Sequence, residues 1–170
     1  MKLAILGYSG SGKSTLARFI SEKRNLPLLH LDAVNFVQDW QERDKEEART
    51  IVRDFLTKED WLIEGNYNNF LQQERLKQAD QIYILTFSRW TSLRRILARG
   101  INYRGKVRPD MAAGCIEKVD AAFLWWVLYE GRTAEKRNHF TAIKNQYPTK
   151  TILIKNQRQL DKIYQQFQSK

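Results

Sequence analysis

The sequence predicts an α/β domain in which a five-stranded parallel sheet carries helices on both faces. Three observations lead there. Short apolar runs alternate with longer segments whose apolar residues recur with helical spacing. The short runs are apolar throughout instead of alternating with polar residues, as strands buried on both faces require. A loop rich in glycine and serine joins the first run to the first helical segment, where open α/β sheets place a ligand crevice.

The first strand is expected at Leu3–Leu6, followed by the loop GYSGSGKST, whose glycines interrupt any continuous structure. Leu28–Leu31 is the second strand. Ala48, Ile51, Val52, Phe55 and Leu56 then recur at i, i+3, i+4, i+7 and i+8 and predict a helix. Trp61–Glu64 and Gln81–Phe87 are the third and fourth strands. From Arg89 to Arg108 the charges are all basic (Arg89, Arg94, Arg95, Arg99, Arg104, Lys106 and Arg108), and glycines stand at 100, 105 and 114. This pattern predicts a helix running into a mobile basic flap with few apolar side chains to hold it down; a disordered loop is the plain alternative. Val119, Ala122, Phe123, Trp126 and Val127 predict another helix, Thr151–Ile154 the fifth strand, and Leu160, Ile163, Tyr164 and Phe167 a closing helix. Right-handed crossovers distribute the helices over both sheet faces. No repeat or linker divides the chain, so residues 1–170 are expected to form one domain with a lid at about 99–118.

Apolar residues make up 42% of the chain and charged residues 28%, an ordinary globular balance, but the formal charge of +10 is high. Such a surface attracts polyanions: nucleotides, nucleic acid or acidic membrane. The lone Cys115 cannot form an internal disulfide, which suits a reducing cytosol, and is expected to be an inert, partly buried thiol. The apolar start, Leu3 to Leu6, is too short for a signal peptide, and Ala121 to Leu128 is far below the about 20 residues a membrane span requires. These features point to a cytoplasmic protein without a membrane partner.

Gly7-Tyr8-Ser9-Gly10-Ser11-Gly12-Lys13-Ser14, followed by Thr15, fits G-x-x-x-x-G-K-[ST] and stands between a strand and a helix. Glycines let successive backbone N–H groups turn inward on a phosphate, and the following helix adds its positive end. Lys13 is placed to reach the β- and γ-phosphates and the Ser14 hydroxyl to ligate Mg²⁺. The expected fold is therefore a three-layer P-loop NTPase with a small basic lid, and the expected ligands are ATP and Mg²⁺. The base-reading N-K-x-D segment of Ras-like GTPases is absent from the sequence.

Trp61-Leu62-Ile63-Glu64-Gly65-Asn66-Tyr67 resembles the W-[IL]-I-D-G-N-Y segment of the DNA topology modulation proteins, a FlaR-like branch of the adenylate-kinase-like P-loop proteins. His30-Leu31-Asp32 and Arg108-Pro109-Asp110-Met111-Ala112-Ala113-Gly114-Cys115 resemble the same family, and the likeness runs from Lys2 to about Leu160. It implies that Asp32, at the carboxyl end of the second strand, holds or deprotonates an acceptor hydroxyl; capping the next helix is the structural alternative. It implies that Glu64, one methylene longer than the family's aspartate, orients a water on Mg²⁺. Gly65 would let backbone approach a substrate, and Asn66 and Tyr67 would offer it hydrogen bonds; a purely structural turn is the alternative.

Arg95 and Arg99 resemble the R-x-x-x-R opening of the lid in such enzymes, and their i, i+4 spacing puts both guanidiniums on one helix face to grip phosphate oxygens. Arg104 and Arg108, or Arg132 and Arg137, are weaker candidates to complete the clamp. Trp125 and Trp126 are adjacent and cannot share one core stripe, so one of them would cover the flap or stack on a base. Two readings follow: a kinase transferring the ATP γ-phosphoryl group to a small-molecule or nucleotide acceptor, or a nucleotide-dependent regulator that binds DNA and modulates its topology. The charge also leaves weak nonspecific nucleic-acid binding open, although no nucleic-acid-reading motif occurs. The acceptor and the oligomeric state are not specified by the sequence.

Overall fold

A computed structural model describes residues 1–168. Five parallel strands, β1 (Lys2–Gly7), β2 (Leu28–His30), β3 (Trp61–Glu64), β4 (Gln81–Leu85) and β5 (Thr151–Ile154), form one sheet in the order β2-β3-β1-β4-β5. The helices are α1 (Lys13–Arg24), the short α2 (Leu31–Asn35), α3 (Lys45–Leu56), α4 (Gln72–Gln78), α5 (Arg89–Asn102), α6 (Ala121–Leu128), α7 (Ala134–Gln146) and α8 (Gln157–Gln168). No helix among the described residues is long and apolar enough to cross a membrane.

Period-two alternation along β1 explains the three layers. Leu3 and Ile5 point to one side, where Leu16 and Ile20 of α1 and Leu160 and Ile163 of α8 cover them. Ala4 and Leu6 point to the other, beneath Val52 of α3 and Phe140 and Ile143 of α7. Both faces are sealed, which is why the strands read as unbroken apolar runs.

Sequence and structure part company at element ends and at α2, α4 and α7, helices that the apolar spacing does not single out. The second strand stops at His30 because Leu31 already begins α2. The fourth stops at Leu85, after which Thr86 still donates its N–H to Ile154 O. The helix expected from Val119 begins at Ala121, because Asp120 caps it by accepting from the Phe123 N–H at 2.8 Å. Val119 packs instead against Gly100, where an added Cβ would stand 2.8 Å from its Cγ2.

The order of strands puts the first loop at the centre of the sheet. β1 lies between β3 and β4, so the chain leaves its carboxyl end where successive connections depart in opposite directions, the crevice in which such sheets bind ligands. Gly7 makes that exit possible. Its φ of +139° lies in the region that favours glycine, and a Cβ there would sit 2.2 Å from the Leu85 carbonyl oxygen. Gly7→Ala is expected to cost more than about 3 kcal/mol, since backbone strain and a collision with β4 add together. A urea unfolding midpoint close to that of the unaltered protein would disprove this account of the loop's origin.

Candidate active site

The loop from Gly7 is fixed from both flanks before any ligand arrives. The Asn66 side chain accepts from Gly7 N–H at 2.9 Å and donates to Gly7 O at 2.8 Å, a two-point clamp on the end of β1. Tyr8 donates its N–H to Leu85 O at 3.0 Å, while its ring is buried against Phe140. Gly10 (φ +70°) and Gly12 (φ +95°) then turn the backbone into α1, with Gly12 at the N-cap. Ser9 precedes them and Ser11 lies between them; Ser11 is fully buried, and Thr15 lines the cavity outside the loop.

Lys13 folds back over the loop, donating to Tyr8 O at 3.1 Å, with Nζ 3.9 Å from Glu64 Oε1. Ser14 Oγ donates to Glu64 Oε2 at 3.2 Å, and His30 Nδ1 lies 3.0 Å from the same oxygen. The Glu64 carboxylate, 3% exposed, is therefore the point at which β2, β3 and α1 meet. Among the described residues no cluster of three or more His, Cys, Asp or Glu could hold a metal by itself. A single hydroxyl beside one carboxylate nevertheless fits Mg²⁺, which keeps several waters and takes its remaining ligands from phosphates.

Asp32 opens into the same space from the first turn of α2. Its Oδ1 accepts from the Tyr67 hydroxyl at 2.9 Å. Burial, and then the Glu64 carboxylate, push its carboxyl above the ordinary value despite Lys13, Tyr67 and Arg108. Burial and the Asp32 carboxylate likewise push the Tyr67 phenol upward, so Tyr67 remains a donor. The capping alternative fails: the N-cap of α2 is His30, and no side chain caps it.

The basic flap is not loose. Arg99 reaches from α5 to Glu117, with Nε 2.8 Å from Oε1, and Arg108 Nε lies 2.6 Å from Oε2 of the same carboxylate. Arg108 also donates to Asp110 Oδ2 at 2.8 Å. Burial opposes ionisation of Asp110, but Arg108 and the Ser14 hydroxyl outweigh it and hold its carboxyl below the ordinary value. Val107 and Ile116 pair antiparallel across the flap, Met111 and Cys115 are buried, and Cys115 Sγ donates to Val37 O at 3.1 Å. The expectation of a flap with little to hold it is thus corrected. Acidic residues just beyond the basic run supply the counter-charges, and the thiol is fully buried and hydrogen-bonded.

Other expected site residues serve the scaffold. Arg132 is buried with its donors committed to Val127 O, Phe87 O and Ser92 Oγ, and its guanidinium lies 4.2 Å from the Tyr8 ring centre. It braces the loop from behind and presents nothing to the cavity. The exposed Arg137 donates to Arg132 O at 2.8 Å. Gly65, with φ +138°, approaches Leu31 instead of a ligand; a Cβ would lie 2.7 Å from Leu31 Cβ. Asn66 is spent on Gly7. Arg104 stays on the exposed flap outside the cavity wall. Arg95 does line the cavity, bonding Ser11 O and Gln157 and lying over the Phe87 ring at 4.3 Å.

The result is a chamber of about 1150 Å³ bounded by the glycine loop, Asp32, Arg95, Arg99, Arg108 and the aromatic pair Trp125 and Trp126. Both tryptophans line it, and of α6 only Val127 is buried, so neither belongs to the core. Sequence reasoning missed Glu117, Asp110 and His30 as participants, although the segments His30-Leu31-Asp32 and Arg108 to Cys115 had been singled out.

The chain has the fold of shikimate kinases. It aligns with shikimate kinase from Bacteroides thetaiotaomicron at a TM-score of 0.58 and 16% identity, covering 99% of this chain and 97% of that one. Against shikimate kinase from Acinetobacter baumannii in complex with shikimate, the values are 0.57 and 13%, with 99% and 91% covered. No family model matches the sequence, and no curated protein matches it either.

Two outcomes follow from these electrostatics. Between the ordinary carboxyl value of 3.8 and the raised value of Asp32, the folded chain binds more protons than the unfolded one, so stability falls as pH rises through that window and stays lower above it. Asp32→Asn should therefore raise Tm by a few degrees at pH 8, with little change below pH 4; an unchanged or lower Tm at pH 8 would refute the burial argument. Glu117→Gln should speed amide exchange across residues 103–116 by at least about tenfold while the β4 amides stay protected. Equal protection in the variant would show that apolar contacts alone hold the flap.

Proposed function

We propose that this chain is an ATP-dependent kinase of a small-molecule acceptor, working with Mg²⁺. The observation that carries the reading is the convergence of Lys13, Ser14, Asp32, Arg99 and Arg108 on one chamber at the carboxyl end of a parallel sheet. The likeness of fold to shikimate kinases, which are small-molecule kinases by name, supports it.

In this reading the loop N–H groups after Tyr8, as far as Thr15, and Lys13 hold the ATP phosphates, while those of Gly7 and Tyr8 stay on Asn66 and Leu85. Ser14 would hold Mg²⁺ directly and Glu64 through water; the ion would supply charge neutralisation across the phosphates. Asp32, itself oriented by Tyr67, accepts the hydrogen bond of the acceptor hydroxyl and takes its proton as the oxygen bonds to the γ-phosphorus. The bond from that phosphorus to the bridging oxygen breaks, and ADP leaves. Arg99 and Arg108 face the chamber and neutralise charge on the moving group. Residues 99–118 act as the lid, and closure keeps water from competing with the acceptor.

Sheet order separates the two substrates. Asp32, in α2 directly after β2, and Glu64, at the end of β3, lie on one side of the loop, whereas Arg95 reaches Gln157 beyond β4 and β5 on the other. The acceptor therefore lies toward β2 and the nucleoside end of ATP toward Arg95. Of the two activities that the FlaR-like resemblance implies, this arrangement supports the kinase. The flap arginines turn inward onto Glu117 and Asp110 instead of forming an exposed stripe, which argues against a DNA-reading surface. The reading also places the protein in the cytoplasm, where ATP is available.

The test is transfer of labelled phosphoryl from ATP to a panel of hydroxyl compounds. Lys13→Ala should lower transfer at least about 100-fold, on the order of 3 kcal/mol of barrier, with unchanged circular dichroism. Transfer at the unaltered rate in that variant would overturn the assignment of the loop.

A further inference from the structure

The acceptor end of the chamber has a composition of its own, and it bears on what the enzyme phosphorylates. Its wall is formed by Asp32 and Phe36, the turn Gln38–Trp40, and the flap residues Arg108, Asp110 and Met111. Each cation on this side is already engaged. Arg108 is shared between Asp110 and Glu117, Arg99 pairs with Glu117, and Lys13 is committed to the glycine loop beside Glu64. On the kinase reading these same cations face the triphosphate, the strongest anion present. The remaining cations of the chamber wall, Arg18, Arg95 and Lys118, stand on α1, on α5 at the Ser11 carbonyl, and on the flap's outgoing limb after Glu117.

The acids are differently placed. Asp32 faces the acceptor, and Asp39 lines the wall with no ion pair or hydrogen bond to its carboxylate among the described residues. A carboxylate or phosphate on the acceptor would meet these two anions, the second on an exposed turn, with no unpaired arginine on this wall to receive it, and like charges repel there. A neutral group suffers no such penalty, and an amine or hydroxyl would give Asp39 the donor it lacks.

The apolar part of the wall is aromatic. The Phe36 and Trp40 rings meet edge to face at 5.4 Å and 68°, and the Trp40 indole N–H is tied to Ile116 O at 3.0 Å, which fixes the ring plane. Met111, 8% exposed, closes the flap side. A fixed indole face opposite a thioether suits a planar ring.

We propose that the acceptor is a neutral or amine-bearing alcohol carrying a planar ring. The ring lies against Trp40, a donor on it reaches Asp39, and the hydroxyl sits at Asp32, while phosphate esters and carboxylates are excluded. The inference rests on the kinase reading and narrows it, and it sets this site apart from one that takes a carboxylate such as shikimate.

The experiment uses the full chain saturated with a non-hydrolysable ATP analogue and Mg²⁺, titrated calorimetrically with pairs matched in ring but not in charge. The pairs are cytidine against cytidine 5′-monophosphate, and tyramine against 4-hydroxyphenylacetate, with shikimate added. Cytidine and tyramine should each bind at least about tenfold more tightly than the anionic partner. Trp40→Ala should weaken both, Asp39→Asn should weaken tyramine, and Asp110→Asn, by freeing Arg108, should narrow the gap for the monophosphate. Equal or tighter binding by the anionic members or shikimate overturns the proposal, and so does absence of binding by both cytidine and tyramine. The kinase reading is judged separately. Phosphoryl transfer to shikimate or to a monophosphate keeps the kinase and removes this inference, whereas ATP hydrolysis without transfer to any member removes the kinase reading itself.

Discussion

Like charges gathered in one chamber repel, and most of the site's architecture answers that repulsion. Lys13, Arg99 and Arg108 converge near the glycine loop, and each is held by a carboxylate of low exposure: Glu64 for the lysine, Glu117 for both arginines, Asp110 for the second of them. A buried ion pair adds little net stability over an apolar pair, yet removing one partner is costly. The pairs therefore serve to fix position. Glu64 ties the ends of β2, β3 and α1 together through His30, Ser14 and Lys13, and Glu117 ties the flap to α5. Neutralisation by carboxylates also leaves the chamber electrically prepared for a polyanion, because incoming phosphate oxygens can take over contacts that carboxylate oxygens now make.

Rigidity around the loop has a second source in backbone hydrogen bonds that involve no ligand-facing group. Asn66 holds Gly7 from the β3 side, and the Leu85 carbonyl holds Tyr8 from β4. Arg132 supports the Tyr8 ring from beneath and is itself fixed by three acceptors. Arg75, fully buried, does the same for the turn after β3 by donating to Phe70 O and Tyr67 O. Tyr67 is thereby placed to orient Asp32. A phosphate-binding loop that must present its N–H groups without reorganisation needs such support, since its glycines supply none.

What was legible in the sequence follows from how local the determining physics is. β3 and β5 were found at their observed limits because a sealed strand is a contiguous apolar run, and the glycine loop because its spacing encodes a backbone shape. The placement of Lys13, Ser14 and Asp32 at one crevice is expected from their positions just beyond the carboxyl ends of the first two strands. The partners of the arginines were not legible. Glu117 lies eighteen residues beyond Arg99, and only the folding back of the flap brings them together. Arg132 was read as a clamp because an arginine's charge is visible in sequence and the three acceptors that bury it are not. Asn66 and Gly65 were assigned to a substrate for a similar reason: adjacency to a site in sequence does not say which way a side chain or a missing Cβ faces.

The flap shows how these levels combine. Its glycines and like charges, taken alone, describe a segment without internal cohesion. Placed over the chamber, the same charges become its attachment, because Glu117 enters between Arg99 and Arg108 and Asp110 turns toward Ser14. Trp40 receives the flap by donating to Ile116 O, so the residue that forms the acceptor wall is also the one on which the flap rests. Access to the acceptor space and closure over the phosphates are then mechanically one event. If residues 99–118 act as the proposed lid, lifting it would expose both Asp32 and the loop, and lowering it would rebuild the Trp40 wall. Glu117 supplies the anion that the flap arginines face in the free chain. On the kinase reading a triphosphate would compete for the same guanidinium forks with more charge and better-matched oxygens, so the wall of the proposed acceptor space would be completed by the group that is to be transferred.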